Sequence, residues 1–269
     1  MIFEAIILGI LQGLTEFLPV SSSGHLIIAE WATGWTGELM NSLTFDVALH
    51  VGTLFAVLAY FWSDWMRLGA SCVKVVRGNA PDREARLVWY IVLATIPAGV
   101  VGMKYEHVVE TLFRNPLLVV AALVAGSFVM WLAERYSSRK YQLASMTFHH
   151  AFFVGVAQAL ALVPGISRSG ITISAGLAGG YQREDAARFS FLLSTPVIAG
   201  AAVLKLRHLS FHSNDAVLGF VLGTLTSAVI GYLCIKFLLR YLERHSMNVF
   251  VGYRLALATG VVVLWLMRN

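Results

Sequence analysis

The sequence predicts an all-α polytopic membrane protein with an inverted-topology repeat, in which six transmembrane helices accompany two re-entrant helical hairpins. Its composition and an internal repeat lead to this prediction. Hydrophobic residues make up 58% of the 269 residues and charged residues only 13%, whereas about 25% of a soluble domain is charged. Apolar stretches that could cross a bilayer, which takes about 20 residues, recur along the whole chain. We therefore expect residues 1–269 to form a single integral membrane domain.

The internal repeat joins an apolar stretch to a loop of proline, serine and glycine. Residues 9–27 return as residues 155–173 at a constant offset. The identical pairs are Gly9 and Gly155, Gln12 and Gln158, Leu14 and Leu160, Ser21 and Ser167, Ser23 and Ser169, Gly24 and Gly170, and Ile27 and Ile173. Repeated halves with interrupted helices are typical of membrane proteins that bind ligands at the interruptions. We expect repeat one to cover about residues 1–135 and repeat two about residues 148–269.

Two kinds of apolar segment follow from this pattern. Six are predicted to cross the bilayer: 43–62, 87–104, 116–134, 186–205, 216–238 and 248–267. Segments 2–33 and 150–182 instead contain two apolar halves around the loop, and neither half alone is comfortably long enough to span. Broken backbone at membrane depth must be buried or line a wet cavity, so each is predicted to be a re-entrant hairpin. Three spans separate the hairpins, which therefore enter from opposite faces and bring their loops together near the midplane.

The distribution of basic residues predicts the orientation. An N-terminus outside the cell places most of them on the cytoplasmic side, in agreement with the positive-inside rule. The cytoplasmic set is Arg67, Lys74, Arg77, Arg83, Arg86, Arg135, Arg139, Lys140, Arg183, Arg188, Lys236, Arg240 and Arg244. The exceptions are Lys104, Arg114, Lys205, Arg207 and Arg268. We interpret the net charge of +5 as a topology signal, and we expect no nucleic-acid partner.

Glu16 is the first candidate for chemistry. An ionisable side chain at membrane depth costs at least ~2.5 kcal/mol, so it is treated as a functional residue by default. Gln12 stands four positions earlier and shares its helix face. The alternative interpretation is that Glu16 only caps the loop or forms hydrogen bonds with it.

The first loop supplies three hydroxyls and an imidazole, from Ser21, Ser22, Ser23 and His25. It leads into a helix N-terminus, where unpaired N–H groups and the positive end of the helix dipole favour phosphate. A serine-rich cap alone would be an ordinary structural feature. His25 and Glu16 beside it favour a functional site.

The second loop carries Ser167, Arg168 and Ser169, with Thr172 just beyond. Arg168 keeps its charge and presents a planar fork suited to phosphate oxygens. Either Glu16 satisfies it as a structural ion pair or a bound phosphate does, and we favour the phosphate. Together the loops hold a nucleophile, an acid or base and a charge clamp, which are the parts of a phosphoryl-transfer site.

Two further positions stay open. Asp46 and His50 could approach this site or cap a helix. Arg254, in the last predicted span, has a structural and a functional interpretation of equal weight.

Three motifs resemble the signature motifs of the bacterial undecaprenyl-diphosphate phosphatases of the bacitracin-resistance type: Gln12-x-x-x-Glu16, Pro19-Val-Ser-Ser-Ser-Gly24-His25 and Pro164-Gly165-x-Ser167-Arg168-Ser169-Gly170. The resemblance covers essentially the whole chain. It implies hydrolysis of undecaprenyl diphosphate to undecaprenyl phosphate and inorganic phosphate. The product is the recycled lipid carrier for peptidoglycan synthesis, and loss of the diphosphate accounts for bacitracin resistance. The implied location is the bacterial plasma (inner) membrane. Entry of the first hairpin from outside favours a site open to the periplasm.

The resemblance also assigns residues. Catalysis is expected from Glu16, Ser22 and His25, and phosphate binding from Arg168, Ser21, Ser23, Ser167, Ser169 and Thr172. A divalent cation, Mg²⁺ or Ca²⁺, is expected to be held mainly by the diphosphate with Glu16, and Gln12 stands where the family often has a second glutamate. Ser22 is our first choice of nucleophile, with His25 as its base and Glu16 orienting His25 or binding the metal. Attack by His25 or by water stays open.

The main alternative is a transporter or flippase of polyprenyl phosphate, because inverted repeats with broken helices are also transporter architecture. Either function implies a polyprenyl lipid substrate and surrounding membrane lipids as partners. Whether two copies form a homodimer is left open.

Overall fold

A computed structural model describes residues 2–33, 43–112, 115–206 and 214–268, with side chains in all but a few residues beside the gaps. Arg114, Arg207 and the side chain of Lys205, all named above, lie outside the described residues. Within those residues the chain forms α-helices, one short 3-10 helix at Leu143–Ser145, and no strand. The α-helices are α1 (Ile2–Phe17), α2 (Ser22–Thr33), α3 (Leu43–Tyr60), α4 (Trp62–Val76), α5 (Arg83–Leu112), α6 (Pro116–Tyr136), α7 (Phe148–Leu160), α8 (Arg168–Ala178), α9 (Arg183–Leu206), α10 (Asn214–Arg244) and α11 (Asn248–Arg268). The predicted all-α fold is confirmed.

Five of the described helices are long and apolar enough to cross a membrane: α5, α6, α9, α10 and α11. A sixth candidate is the pair of α3 and α4, which bend by 73° at their junction. The predicted spans coincide with α3, α5, α6, α9, α10 and α11. The polytopic membrane class is therefore confirmed, with five or six spans among the described residues.

Helix α4 departs from the sequence analysis, which predicted no helix between the spans 43–62 and 87–104. The helix buries Leu68 and leaves Trp62 and Met66 exposed, so its apolar residues are not confined to the side that packs on the protein. Its sharp angle to α3 and its exposed aromatic and basic side chains fit a helix in the bilayer interface.

The turn from α4 to α5 is held by Asp82. Its carboxylate accepts hydrogen bonds from the Ser71 hydroxyl and from the Ala85 N–H, the latter at 3.0 Å. These two donors, the hydroxyl first, lower the pKa of Asp82. The carboxylate thereby caps the N-terminus of α5.

Two helical hairpins, α1–α2 and α7–α8, meet at their loops. The N–H of Gly165 donates to Ser21 Oγ at 3.1 Å, and the Ser169 hydroxyl donates to Leu18 O at 3.0 Å. Both contacts join residues that are more than a hundred positions apart, so the tertiary structure assembles one site from two loops.

The outer ends of the hairpins lie near opposite ends of α11, whose 21 residues rise about 30 Å. At the C-terminal end of α11, Arg268 Nη2 donates to Ala32 O of the first hairpin at 2.6 Å. At its N-terminal end, the Met247 N–H donates to Glu134, which also binds Arg183 just after the second hairpin. These contacts agree with hairpins entering from opposite faces, and the repeat relationship itself stays a prediction.

Small residues allow α1, α3 and α10 to pack closely. A Cβ added at Gly13 would lie 2.8 Å from Ile230 Cβ. The hydroxyls of Thr224 and Ser227 on α10 donate to Ala48 O and Leu49 O on α3, at 3.1 and 2.9 Å. Close backbone approach with interhelical hydrogen bonds is the usual way in which membrane helices associate. This packing gives α1, which carries Glu16, a rigid support.

Candidate active site

Arg254 fastens the two loops to each other. Its fully buried guanidinium uses all five of its N–H donors. Nε donates to Ser127 Oγ at 2.9 Å, Nη1 to Pro19 O at 3.3 Å and Ile166 O at 3.1 Å, and Nη2 to Leu123 O at 3.0 Å and Gly165 O at 2.8 Å. Three of these oxygens belong to the loops. The structure therefore favours the structural interpretation of Arg254.

The two loops enter their helices by the same geometry. Ser21 and Ser167 both have a φ of 77°, and the hydroxyl of each accepts a hydrogen bond from the glycine three residues later. The distances are 3.3 Å from Gly24 N to Ser21 Oγ and 3.1 Å from Gly170 N to Ser167 Oγ. Both serines are helix caps of the kind that satisfies an N-terminal amide.

Four amides remain available at the two helix starts. Among the described residues, no hydrogen-bond acceptor is found for the backbone N–H groups of Ser22, Ser23, Arg168 and Ser169. They belong to two helix N-termini whose loops are in contact. Amides and helix dipoles that converge in this way favour a bound anion.

Glu16 is buried at the end of α1 and receives three donors. Gln12 Nε2 donates to Oε2 at 3.1 Å, and the Ser22 hydroxyl donates to the same oxygen at 2.7 Å. Arg168 Nη2 lies 3.2 Å from Oε1. His50 on α3 lies near this carboxylate, and its Nδ1 is bonded to Asp46 O on its own helix.

The two terminal nitrogens of Arg168 have different surroundings. One of its terminal nitrogens pairs with Glu16, as the structural alternative in the sequence analysis held. The other, Nη1, is buried and has no hydrogen-bond partner in the described part of the chain. A buried donor of this kind is costly unless a ligand or water completes it, which leaves one arm of the guanidinium for an anion.

His25 is bound to groups that the sequence analysis did not connect with it. Its Nδ1 lies 2.8 Å from Ser21 O, and because a carbonyl oxygen only accepts, Nδ1 carries the proton. In the neutral ring Nε2 then accepts a hydrogen bond from the Tyr253 hydroxyl, at 2.7 Å. The two rings are nearly parallel, at 4°. Both imidazole nitrogens are thus occupied, and the partner of the Ser22 hydroxyl is Glu16 instead of the expected His25.

The remaining predicted phosphate ligands differ in placement. Ser167, Ser169 and Ser21 lie in the joined loops, where the hydroxyls of Ser167 and Ser169 are 3.3 Å apart. The side chain of Ser23 is exposed, so it offers the site its amide. Thr172 is buried one turn into α8, and its hydroxyl lies 2.7 Å from Arg168 O and 2.6 Å from Ser190 Oγ, which ties α8 to α9.

Tyr253 is the residue of this site that the sequence analysis missed. The one local signal was a tyrosine beside Arg254 inside an otherwise apolar span. Nothing in that segment indicates that its hydroxyl reaches the first hairpin, since the contact joins residues 228 positions apart.

The expected divalent cation can be tested against the donors present. No group of three or more His, Cys, Asp or Glu side chains that could hold a metal occurs among the described residues. Gln12 Oε1, however, is buried without a partner in the same set, and its side chain is bonded to Glu16. One carboxylate and one amide oxygen fit a cation that takes its other ligands from substrate phosphates and water, as Mg²⁺ commonly does.

Comparison with known proteins shows the family of this chain. The family model described as bacitracin resistance protein BacA matches residues 5–260. This chain belongs to the BacA family. Both loops, both helix starts and Arg254 lie inside the matched range.

Relatives of this BacA-family chain match it from end to end. A protein of Moorella thermoacetica named undecaprenyl-diphosphatase is 48% identical over 268 residues, with 99% of each chain covered. One of the same name from Desulforudis audaxviator is 48% identical over 267 residues, again with 99% of each covered. A third, from Thermodesulfovibrio yellowstonii, is 45% identical over 270 residues and covers 100% of this chain and 99% of its own.

Proposed function

We propose that this chain is an undecaprenyl-diphosphate phosphatase, which hydrolyses undecaprenyl diphosphate to undecaprenyl phosphate and inorganic phosphate. The observation that carries the proposal is the hydrogen bond from Ser22 to Glu16 beside Arg168, which pairs a hydroxyl with a base at a site for anions. The shared name of relatives that cover the whole chain supports the same reaction. The activity would recycle the lipid carrier for peptidoglycan synthesis and remove the target of bacitracin.

The diphosphate binds between the starts of α2 and α8. The free amides of Ser22, Ser23, Arg168 and Ser169 donate to its oxygens, together with Nη1 of Arg168. A cation held by Glu16 and Gln12 would neutralise further phosphate charge. The two arginines, Arg168 and Arg254, outnumber the single carboxylate Glu16, so the positive potential of the site attracts the anion.

Ser22 attacks the terminal phosphorus. Its hydroxyl proton passes to Glu16, whose Oε2 already accepts that hydrogen bond at 2.7 Å. The bond from Oγ to phosphorus forms while the bridging P–O bond breaks, and undecaprenyl phosphate leaves with the bond electrons. Arg168 and the amides stabilise the charge that develops on the phosphoryl oxygens.

Water completes the cycle. It attacks the phosphoserine, Glu16 returns its proton to Ser22 Oγ, and dihydrogen phosphate leaves with both protons of the water. His25 and Tyr253 line the first loop and hold it in shape through Ser21 O. Direct attack by His25 would first require its bond to Tyr253 or to Ser21 to break, which favours Ser22 as the nucleophile.

The basic side chains support an orientation of the protein in the membrane. The basic side chains at the end of the bundle that contains α4 and the starts of α5 and α9 agree with a cytoplasmic position for that end. The first hairpin then opens toward the periplasm of a bacterial inner membrane, where its substrate would be met. The apolar tail would remain between helices and lipid.

A purified-protein assay tests the proposal. The protein in detergent, supplied with undecaprenyl diphosphate and Mg²⁺, should release inorganic phosphate over time with no membrane gradient present. A flippase of polyprenyl phosphate is not favoured, since the relatives bear the name of a phosphatase. Transfer of the lipid between the leaflets of vesicles without any phosphate release would overturn the proposal in favour of transport.

A further inference from the structure

A cavity of about 510 Å³ lies at the basic end of the bundle, apart from the loops of the candidate active site. Its wall is formed by α4, the start of α5, the start of α9 and the segment 143–146. Four arginines line it: Arg67, Arg83, Arg86 and Arg188. None of the residues that surround Glu16 belongs to its wall.

The side chains that line this arginine cavity are more often positive than negative. Asp64 forms ion pairs with both Arg67 and Arg188, whose Nη2 atoms lie 2.6 and 2.5 Å from its Oδ1. Glu84 is the other acidic residue of the wall, so the lining itself carries four positive and two negative side chains. The carboxylates of Asp82 and Asp185 lie near Arg86 and Arg83, outside the lining. In the described part of the chain, neither Arg83 nor Arg86 has a carboxylate within ion-pair distance.

Arg188 is the arginine of the cavity with two contacts. It pairs with Asp64 and also lies over the ring of Phe61, 5.4 Å from its centroid. The side chain of Arg67 is 64% exposed, and Arg83 and Arg86 lie in the first turn of α5.

Apolar side chains form part of the wall. Leu68, Leu87, Leu192 and Met146 also line the cavity, and Tyr90 adds a ring with a hydroxyl. Helix α4, which forms one side, turns 73° from the span that precedes it. A cavity lined by both arginines and apolar side chains suits an anionic head group whose chains continue into lipid.

We propose that this cavity binds a phosphate group, through Arg83 and Arg86 with Arg188 and Arg67, at a site separate from the candidate active site. Its position beside the interfacial helix α4 favours an anionic phospholipid as the source of that phosphate. Free inorganic phosphate presents the same chemistry without the chains. The site would anchor α4 and the start of α5 to the lipid surface.

Lipid binding to the full-length protein in detergent tests the proposal. Native mass spectrometry and the thermal unfolding midpoint are measured with phosphatidylglycerol, with phosphatidylcholine and with inorganic phosphate. The test variant is Arg83→Gln with Arg86→Gln. The matched control is Lys74→Gln with Arg77→Gln, which removes two charges near the same end from residues that do not line the cavity.

Phosphatidylglycerol is expected to bind and raise the unfolding midpoint, phosphatidylcholine much less. The Arg83 and Arg86 variant should bind phosphatidylglycerol roughly tenfold more weakly or worse, and the control variant should bind it normally. Inorganic phosphate that reproduces the shift through the same two arginines would support the phosphate site and assign it to the free ion.

Equal binding of phosphatidylglycerol by the wild type and the test variant would overturn the proposal, as would an equal loss in the control variant. If the double variant does not fold, Arg83→Lys with Arg86→Lys retains the charge and should retain binding, and Arg86→Gln alone should weaken it. Loss of binding in the lysine variant with no loss in the single variant would count against the site.

Discussion

Arg168 Nη2 lies 3.2 Å from Glu16 Oε1 and joins the second hairpin to the first. The pair leaves Glu16 Oε2 to the Ser22 hydroxyl and leaves Arg168 Nη1 without a partner among the described residues. Glu16 Oε2 is therefore placed to take a proton from Ser22, and Arg168 Nη1 is placed to bind an anion. The pairing also joins Glu16, the proposed base, to the Arg168 guanidinium, the proposed phosphate ligand.

Replacing Ser22 with alanine should lower kcat for phosphate release by at least about 10³-fold, because it removes the attacking oxygen. The measurement is a phosphate-release time course with undecaprenyl diphosphate. Ser174→Ala is the matched control, since that buried serine of α8 has no hydrogen-bond partner among the described residues. Near-native activity of the Ser22 variant would exclude it as the nucleophile.

Replacing the guanidinium of Arg168 should lower kcat more than it lowers the stability of the fold. Arg168→Gln is expected to lower kcat by about 10²- to 10³-fold, as the loss of a donor to developing charge commonly does. Arg168→Lys should fall between this variant and the wild type. The lysine variant, which keeps a cation beside the buried Glu16, should have a thermal unfolding midpoint close to that of the wild type. A purely structural role would instead lower that midpoint and leave kcat of the folded fraction intact.

Arg254 should behave in the opposite way. Arg254→Met leaves the carbonyl oxygens of Pro19, Gly165 and Ile166 without their donor, so we expect a loss of at least ~2 kcal/mol of stability. Circular dichroism on heating should show a lower midpoint, and activity should fall with it. A stable Arg254→Met protein with selectively reduced kcat would show that the guanidinium acts on substrate.

Tyr253→Phe isolates one hydrogen bond. The change keeps the ring beside His25 and removes the hydroxyl that occupies its Nε2, so kcat should fall by about fivefold, the effect of losing ~1 kcal/mol of positioning. KM should change little. Tyr241→Phe serves as control, because no bond of the Tyr241 hydroxyl is found in the described structure. Unchanged kinetics of Tyr253→Phe would remove Tyr253 from the site.

Metal dependence can be separated from the rest of the site through Gln12. Chelation should stop phosphate release, and added Mg²⁺ should restore it. Gln12→Leu should require roughly tenfold more Mg²⁺ for half-maximal activity, since it removes the free Oε1 beside Glu16. Gln158→Leu alters the repeat-matched glutamine, whose Nε2 donates to Ala94 O at 3.3 Å. An equal Mg²⁺ requirement in both variants would argue against Gln12 as a ligand.

Much of the fold was predictable because hydropathy and helix breaks are local signals. The predicted spans coincide with observed helices, and the two loops lie where proline, serine and glycine interrupt the apolar stretches. Helix α4 was not predicted, because its charged residues resemble a loop when the bend at Phe61 is unknown. Its packing through Leu68 shows only after α3 and α5 are in place.

The sequence by itself determined the membrane class and the positions of both loops, and it indicated Glu16, Ser22, His25 and Arg168 as candidates, since composition and motif spacing carry that information. Only the tertiary structure decided the partners of these residues. Ser22 donates to Glu16, His25 is bound to Tyr253, and Arg254 ties both loops together. The bonds of His25 and Arg254 join segments far apart in the chain, and even the nearby pair of Glu16 and Ser22 meets only when the loop between α1 and α2 turns the chain back.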